Sequence, residues 1–148
     1  MPATTEPSQQ LLEHTRDRYH AGCVVCSAWG PAALGLEFAV TDDGVTGTFP
    51  CPPRFEGYDG MLHGGVISAI ADGAMTNCLF AEGIAAVTAE LKVRFRHPVV
   101  LGKRLTVMAR TTRRNAPLFV LEARLVQDGK LKATATGKFM QTPGDASK

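Results

Sequence analysis

Between residues 63 and 80 the apolar and small residues recur at every third and fourth position: Val66, Ile67, Ile70, Ala71, Ala74, Met75, Cys78 and Leu79. That spacing predicts one long helix. So few polar residues interrupt it that it should be deeply buried. Elsewhere the period is two. Residues 34–40 alternate apolar with small or polar, Asp42-Asp43-Gly44 signals a turn, and residues 45–49 alternate again, which predicts a hairpin. Cys51-Pro52-Pro53 breaks the pattern, and residues 53–60 read as loop. Glu82-Gly83 closes the helix. Four runs rich in Thr, Val and Phe follow, over residues 84–97, 103–114, 118–127 and 130–141. Turn signals separate them: Pro98 with Gly102, Asn115-Ala116-Pro117, and Asp128-Gly129. Ahead of the hairpin, Ser8 suits an N-cap, and Leu11, Leu12, Thr15, Arg16 and Tyr19 fall at helical spacing. A short helix is expected there, ended by Gly22, with the Gly30-Pro31 loop after it.

A hairpin, one apolar helix and four strands make an α+β fold. A single helix that is apolar on most sides can bury itself only inside a sheet curved around it. At 148 residues the chain is one domain. The reading assigns residues 1–20 to a tail and short helix, 21–142 to the domain, and 143–148 to a disordered tail. Hydrophobic residues are 45% and charged residues 20%, ordinary for a globular protein, and the net charge of +2 is too small to argue for nucleic acid or a membrane surface. No apolar run reaches the ~20 residues of a membrane span, and the N-terminus lacks the pattern of a signal peptide, so a cytoplasmic location is expected. The four cysteines, Cys23, Cys26, Cys51 and Cys78, are then expected to be free thiols. Cys23-x-x-Cys26 with His20 offers three metal ligands, but a structural zinc normally takes four, commonly from two pairs. No metal is expected.

The candidate chemistry sits on the long helix. Asp72 lies between Ala71 and Gly73, with Ala69 and Met75 three residues away on either side. A buried carboxylate must find donors or have its pKa raised, and a base of raised pKa in a pocket is useful at neutral pH. Ser68 and Thr76 are the near polar partners along the helix. An aspartate that reaches solvent, or pairs at a subunit contact, fits the residues equally well. Gly64 and Gly65 open the helix, where unpaired N–H groups and missing side chains let a ligand carbonyl approach. An oxyanion hole needs such donors, although a plain tight turn explains two glycines too.

Leu62-His63-Gly64-Gly65-Val66, with Asp72 nine residues after the histidine, resembles the hotdog-fold acyl-CoA thioesterases of the PaaI-like type. Val87-Thr88-Ala89-Glu90-Leu91, Phe95 with Pro98, Ala133-Thr134-Ala135-Thr136-Gly137, and Cys23-x-x-Cys26 ahead of Gly35-Leu36 resemble other stretches of that family. The resemblance runs from about Cys23 to Met140. It implies a curved sheet wrapped on a central helix, and an acyl-CoA substrate bound between the subunits of a homodimer or a dimer of dimers. Residues 84–97 would be the pairing edge. It also implies Asp72 as general base or nucleophile, the Gly64 N–H as oxyanion donor, Thr88 orienting water or Asp72, and His63 holding the turn or contacting the carbonyl. Gly65, Ser68, Met61 and Met75 are candidates to contact the acyl part, with Leu79 and Phe80 beside them. Lys92, Arg94, Arg96, Arg113 and Arg114 are candidates for the CoA phosphates, although a solvated basic strand face is a common alternative. Some relatives carry an Asn six residues before the motif histidine; here that position is Gly57.

No cofactor is expected, since CoA arrives with the substrate. A thiol has a pKa of roughly 8.5, so a thiolate leaves without strong acid assistance. One carboxylate and one oxyanion hole then suffice, and no Gly-x-Ser-x-Gly elbow points to a serine triad. Cys78, on the apolar face of the helix, reads as core. Two other classes compete: a non-catalytic acyl-CoA-binding hotdog domain, to which Asp72 would be superfluous, and a hotdog dehydratase or hydratase, which uses a different His and acid arrangement.

Overall fold

The computed structural model describes residues 5–28 and 32–142; the expected terminal tails at residues 1–4 and 143–148, and the loop at Gly30-Pro31, lie outside the described residues. In chain order the elements are α1 (Gln9–Tyr19), β1 (Phe38–Val40), β2 (Val45–Phe49), a 3-10 turn (Pro53–Phe55), α2 (Gly64–Phe80), β3 (Ala86–Phe95), β4 (Leu105–Asn115), β5 (Leu118–Gln127) and β6 (Lys130–Gln141). The strands form one antiparallel sheet in the order β1-β2-β4-β5-β6-β3. The chain leaves β2, runs through α2 and re-enters the sheet at its far edge as β3, so the helix crosses the whole concave face.

The helix is as buried as its pattern predicts. Ile70, Ala71, Ala74 and Met75 are fully buried, and Leu105, Leu121, Leu125 and Phe139 of β4, β5 and β6 belong to the same core. Truncating any one of the large residues costs about 2–5 kcal/mol by the usual cavity and transfer terms. Ala81 caps the helix and Gly83, at φ +75°, turns the chain away, with Ile84 N–H donating to Leu79 O at 3.0 Å.

Two expectations change. The first strand of the hairpin is only Phe38–Val40. Leu34 and Leu36 give their N–H groups to Val24 O and Val25 O, and Gly35 between them sits at φ +67°, which no extended strand allows. The alternation reported burial there correctly, since Leu36 lies in the core, but a loop rather than a strand provides the backbone partners. The N-terminal helix starts as expected, with Ser8 Oγ accepting from Leu11 N, yet it ends at Tyr19 with His20 as C-cap, short of Gly22. The reason is that Cys23 N–H turns back to His20 O and begins a second turn. Leu12 is wholly buried and Ser8 N–H bonds Ala81 O at 3.0 Å, so α1 packs on the end of α2.

Candidate active site

Residues 55–62 fix the start of α2. His63 N–H donates to Phe55 O, Gly57 N–H to Met61 O and Leu62 N–H to Val99 O, each at 2.9 Å. The loop is thus tied both to itself and to the chain after β3. His63 is extended, at φ −61° and ψ 134°, and its Nδ1 accepts from Gly65 N at 2.8 Å. The histidine is therefore the N-cap of α2, and it also lines the cleft described below. Gly65 N–H is consumed by this bond. Gly64 N–H has no partner among the described residues, and it stands at the positive end of the helix.

Gly57 lies against this turn. A Cβ there would meet His63 Cα at 3.0 Å. The glycine at the position where some relatives carry Asn therefore lets the loop close on the motif histidine.

Two turns along α2, Asp72 is half-buried. Its donor is Thr88, whose Oγ1 gives a 2.6 Å hydrogen bond to Asp72 Oδ1 from β3. Ser68 and Thr76 do not serve the carboxylate. They bond back along the helix, to Gly64 O at 3.1 Å and to the Asp72 carbonyl at 2.9 Å. The register of β3 against β6 slips between Thr88 and Glu90, and a bulge at Ala89 lies directly beside the threonine. Bulges commonly re-aim a side chain in this way.

A cleft of about 800 Å³ opens at the N-terminus of α2. Tyr58, Met61, Gly64, Phe95, Arg96 and His97 are among its walls. Its size suits a small-molecule ligand. Tyr58 and Phe95 present large exposed aromatic surface to it. Of the acyl-contact candidates, Met61 lines the cleft, Gly65 and Ser68 lie on α2 outside its lining, and Met75, Leu79 and Phe80 do not reach it. Those three are core residues; Met75 is fully buried and packs toward Gly137. Helical periodicity identified them as buried but could not say which buried face looks onto the cleft.

The basic candidates also separate. Arg96 is on the cleft, while Lys92 and Arg94 are exposed along β3 and Arg113 is exposed on β4. Arg114 is committed elsewhere: its guanidinium holds Glu82, with Nε 3.2 Å from Oε1 and a second bond from Nη2 to Oε2. Glu82 has only 4% of its side chain exposed, so releasing Arg114 would strand a buried charge. Arg114 is therefore withdrawn as a phosphate ligand. Tyr58 and His97 were not singled out from sequence. They reach the cleft from the loop before α2 and from the segment after β3, and no local pattern records that meeting.

Comparison with known proteins agrees with this fold. The family model of the thioesterase superfamily matches residues 59–134. The bovine acyl-coenzyme A thioesterase THEM4 is 29% identical over 97 residues, which are 64% of this chain; the chain spans only 40% of that relative's length. Among solved structures, the Escherichia coli PaaI protein from the phenylacetic acid degradation operon superposes with a TM-score of 0.71 at 25% identity, covering 76% of this chain and 83% of that one. A putative thioesterase from Ralstonia eutropha, described as phenylacetic acid degradation-related, gives 0.68 at 29% identity, covering 76% and 92%.

Proposed function

We propose, from the premise that this chain belongs to the thioesterase superfamily and has its PaaI-like hotdog fold, that it hydrolyses acyl-coenzyme A thioesters to the free acid and coenzyme A. The observation that carries the proposal is the half-buried Asp72 carboxylate, held by Thr88 Oγ1 at 2.6 Å on the helix whose first N–H has no partner among the described residues. With one oxygen fixed by Thr88, the other is left to work on water. Asp72 takes a proton as the water oxygen bonds to the thioester carbon, the Gly64 N–H holds the resulting oxyanion, and the C–S bond breaks to release the thiolate. Direct attack by Asp72, giving an anhydride that water then opens, uses the same atoms. Single turnover in labelled water tests for direct attack: label in the Asp72 carboxylate marks an anhydride opened at the Asp72 carbon, which the general-base route never gives.

Geometry bears on assembly. The reacting carbonyl must lie about 3 Å from both donor and base. In one chain Gly64 and Asp72 are two turns apart, about 12 Å along the helix. A two-fold partner with its α2 antiparallel sets the Gly64 of one chain opposite the Asp72 of the other and makes two equal sites. The reading is therefore of a homodimer, or a dimer of such dimers, paired through β3. That strand is an open sheet edge exposing Val87 and Phe95. Arg96 at the cleft, with Lys92 and Arg94 along β3, supplies positive charge for the CoA phosphates.

The test is steady-state hydrolysis of a panel of acyl-CoAs by the full chain and by Asp72→Asn. A general base contributes roughly 10²–10⁴ in rate, so kcat should fall at least about a hundredfold. Near-normal turnover by the variant sinks the assignment. Binding without turnover of every panel member by the unaltered protein would favour a non-catalytic acyl-CoA binder.

A further inference from the structure

The second turn that cuts α1 short has a purpose of its own. Cys23 N–H bonds His20 O at 3.1 Å and Ser27 N–H bonds Cys23 O at 2.9 Å, two successive turns that put His20, Cys23 and Cys26 on one side of the backbone. Their ligand atoms all lie within 4.8 Å of one another. Cys26 Sγ is 3.8 Å from His20 Nδ1. Around a tetrahedral zinc, with Zn–S about 2.3 Å and Zn–N about 2.0 Å, ligand atoms stand roughly 3.5–3.8 Å apart. The three groups are within a small contraction of that arrangement.

Three further observations point the same way. Val25 N–H donates to Cys23 Sγ at 3.3 Å, a backbone bond that favours a thiolate over a thiol. Asn77 of α2 is fully buried and its Oδ1 is a buried side-chain oxygen without a partner among the described residues. The Asn77 side chain lies close enough to Cys26 to bear on its thiol, so this orphaned group sits at the edge of the cluster. The three ligands are half-buried rather than sealed in, which leaves an entry path.

We propose that His20, Cys23 and Cys26 form a binding site for a thiophilic divalent cation of the zinc class, the remaining position being completed by solvent or by Asn77 Oδ1. This goes beyond the thioesterase reading and does not depend on it. It departs from the free thiols expected of the sequence, which offered these three ligands and set them aside for want of a fourth. Two thiolates and one neutral imidazole balance the charge of a divalent ion. The consequence of binding is mechanical. The ion would lock the turn that carries Val25, whose Cγ1 stands where a Cβ at Gly73 would be, 2.5 Å from that position and one residue from Asp72.

The experiment uses the full chain, untagged, expressed with added zinc and purified under reducing conditions without chelator. Elemental analysis should give about one zinc per chain. After stripping, anaerobic titration with Co²⁺ should produce the thiolate-to-cobalt absorption and tetrahedral ligand-field bands. Cys23→Ser and Cys26→Ser should lower affinity by about tenfold or more, while Cys51→Ser keeps it. The unaltered protein decides the matter even if a ligand variant fails to fold. Absence of both zinc and a cobalt–thiolate spectrum in that protein overturns the proposal. So does a Cys23–Cys26 disulfide, seen as the loss of two hydrogens in mass, that persists in the reduced preparation without metal.

Discussion

Gly64→Pro tests the oxyanion donor with little collateral damage, for reasons written in the local geometry. Gly64 is the first residue of α2, a position where proline's fixed φ suits the helix and no intrahelical N–H is lost. A proline demands an extended residue before it, and His63 at φ −61° and ψ 134° already is one. A Cβ at position 64 would meet only the Phe95 ring, at 3.6 Å, an ordinary contact. The variant therefore removes one N–H and little else. Loss of a single oxyanion donor costs about 10²–10³ in kcat, or roughly 2.7–4 kcal/mol. The assay follows CoA release with a thiol reagent, alongside a thermal melt expected to move by less than about 3 °C. Mixing then tests assembly. Gly64→Pro and Asp72→Asn subunits, each inactive, are unfolded together and refolded. Half the dimers should be mixed, each holding one site with both groups intact, which restores about a quarter of normal activity. Full activity in Gly64→Pro alone would refute the donor assignment, and a silent refolded mixture would refute the shared site.

Other consequences can be checked separately. Thr88→Val removes the hydrogen bond to Asp72 at an exposed residue; bonds to charged groups contribute about 1.5–3 kcal/mol when buried, so the lower end, near tenfold in kcat, is expected, with rescue by Thr88→Ser and an unchanged melting temperature. Gly73→Ala forces a methyl toward Val25 Cγ1, 2.5 Å from the built position, and overpacking of this kind costs about 1–3 kcal/mol, to be read as a lowered denaturant midpoint at constant slope. The Cys51 and Cys78 thiols are pushed up to about 11 by burial. At pH 8 roughly one in a thousand is then thiolate. Iodoacetamide should leave both unlabelled in the native protein, and any labelling should climb about tenfold per pH unit, as expected when the reactive form appears only near the raised pKa.

What the sequence disclosed was whatever repeats along the chain. The three- and four-residue period of α2 and the alternation of β2 through β6 placed the elements within a few residues, and Asp72 stood out because a carboxylate interrupts an apolar period. What it concealed were meetings between distant segments. Thr88 was named, but as a family position; that it donates to Asp72 follows from β3 lying beside α2. Arg114 looked like a free cation because Glu82 is 32 residues away in sequence. Residues 34–37 alternated like a strand, yet their partners are Val24 and Val25, which no alternation announces. His20, Cys23 and Cys26 were grouped from sequence, but the unpartnered Asn77 beside them lies on α2, far away along the chain.

The rigidity of α2 has a consequence for how this protein can change. In the dimer proposed above each α2 carries the Gly64 of one site and the Asp72 of the other and is packed into the core, so the reacting groups are held by two rigid helices and not by any loop. Most of the cleft wall comes from residues 56–62 and 95–99, completed by His63, Gly64 and Ile67 at the helix start. The reacting centre and most of the acyl-recognising surface are thus separable parts. Mutational drift in the walls can retune which acyl group is accepted while the helices that carry the reacting groups stay unchanged. Laboratory evolution toward new acyl chains should accordingly accumulate its substitutions in those two segments and leave α2 untouched.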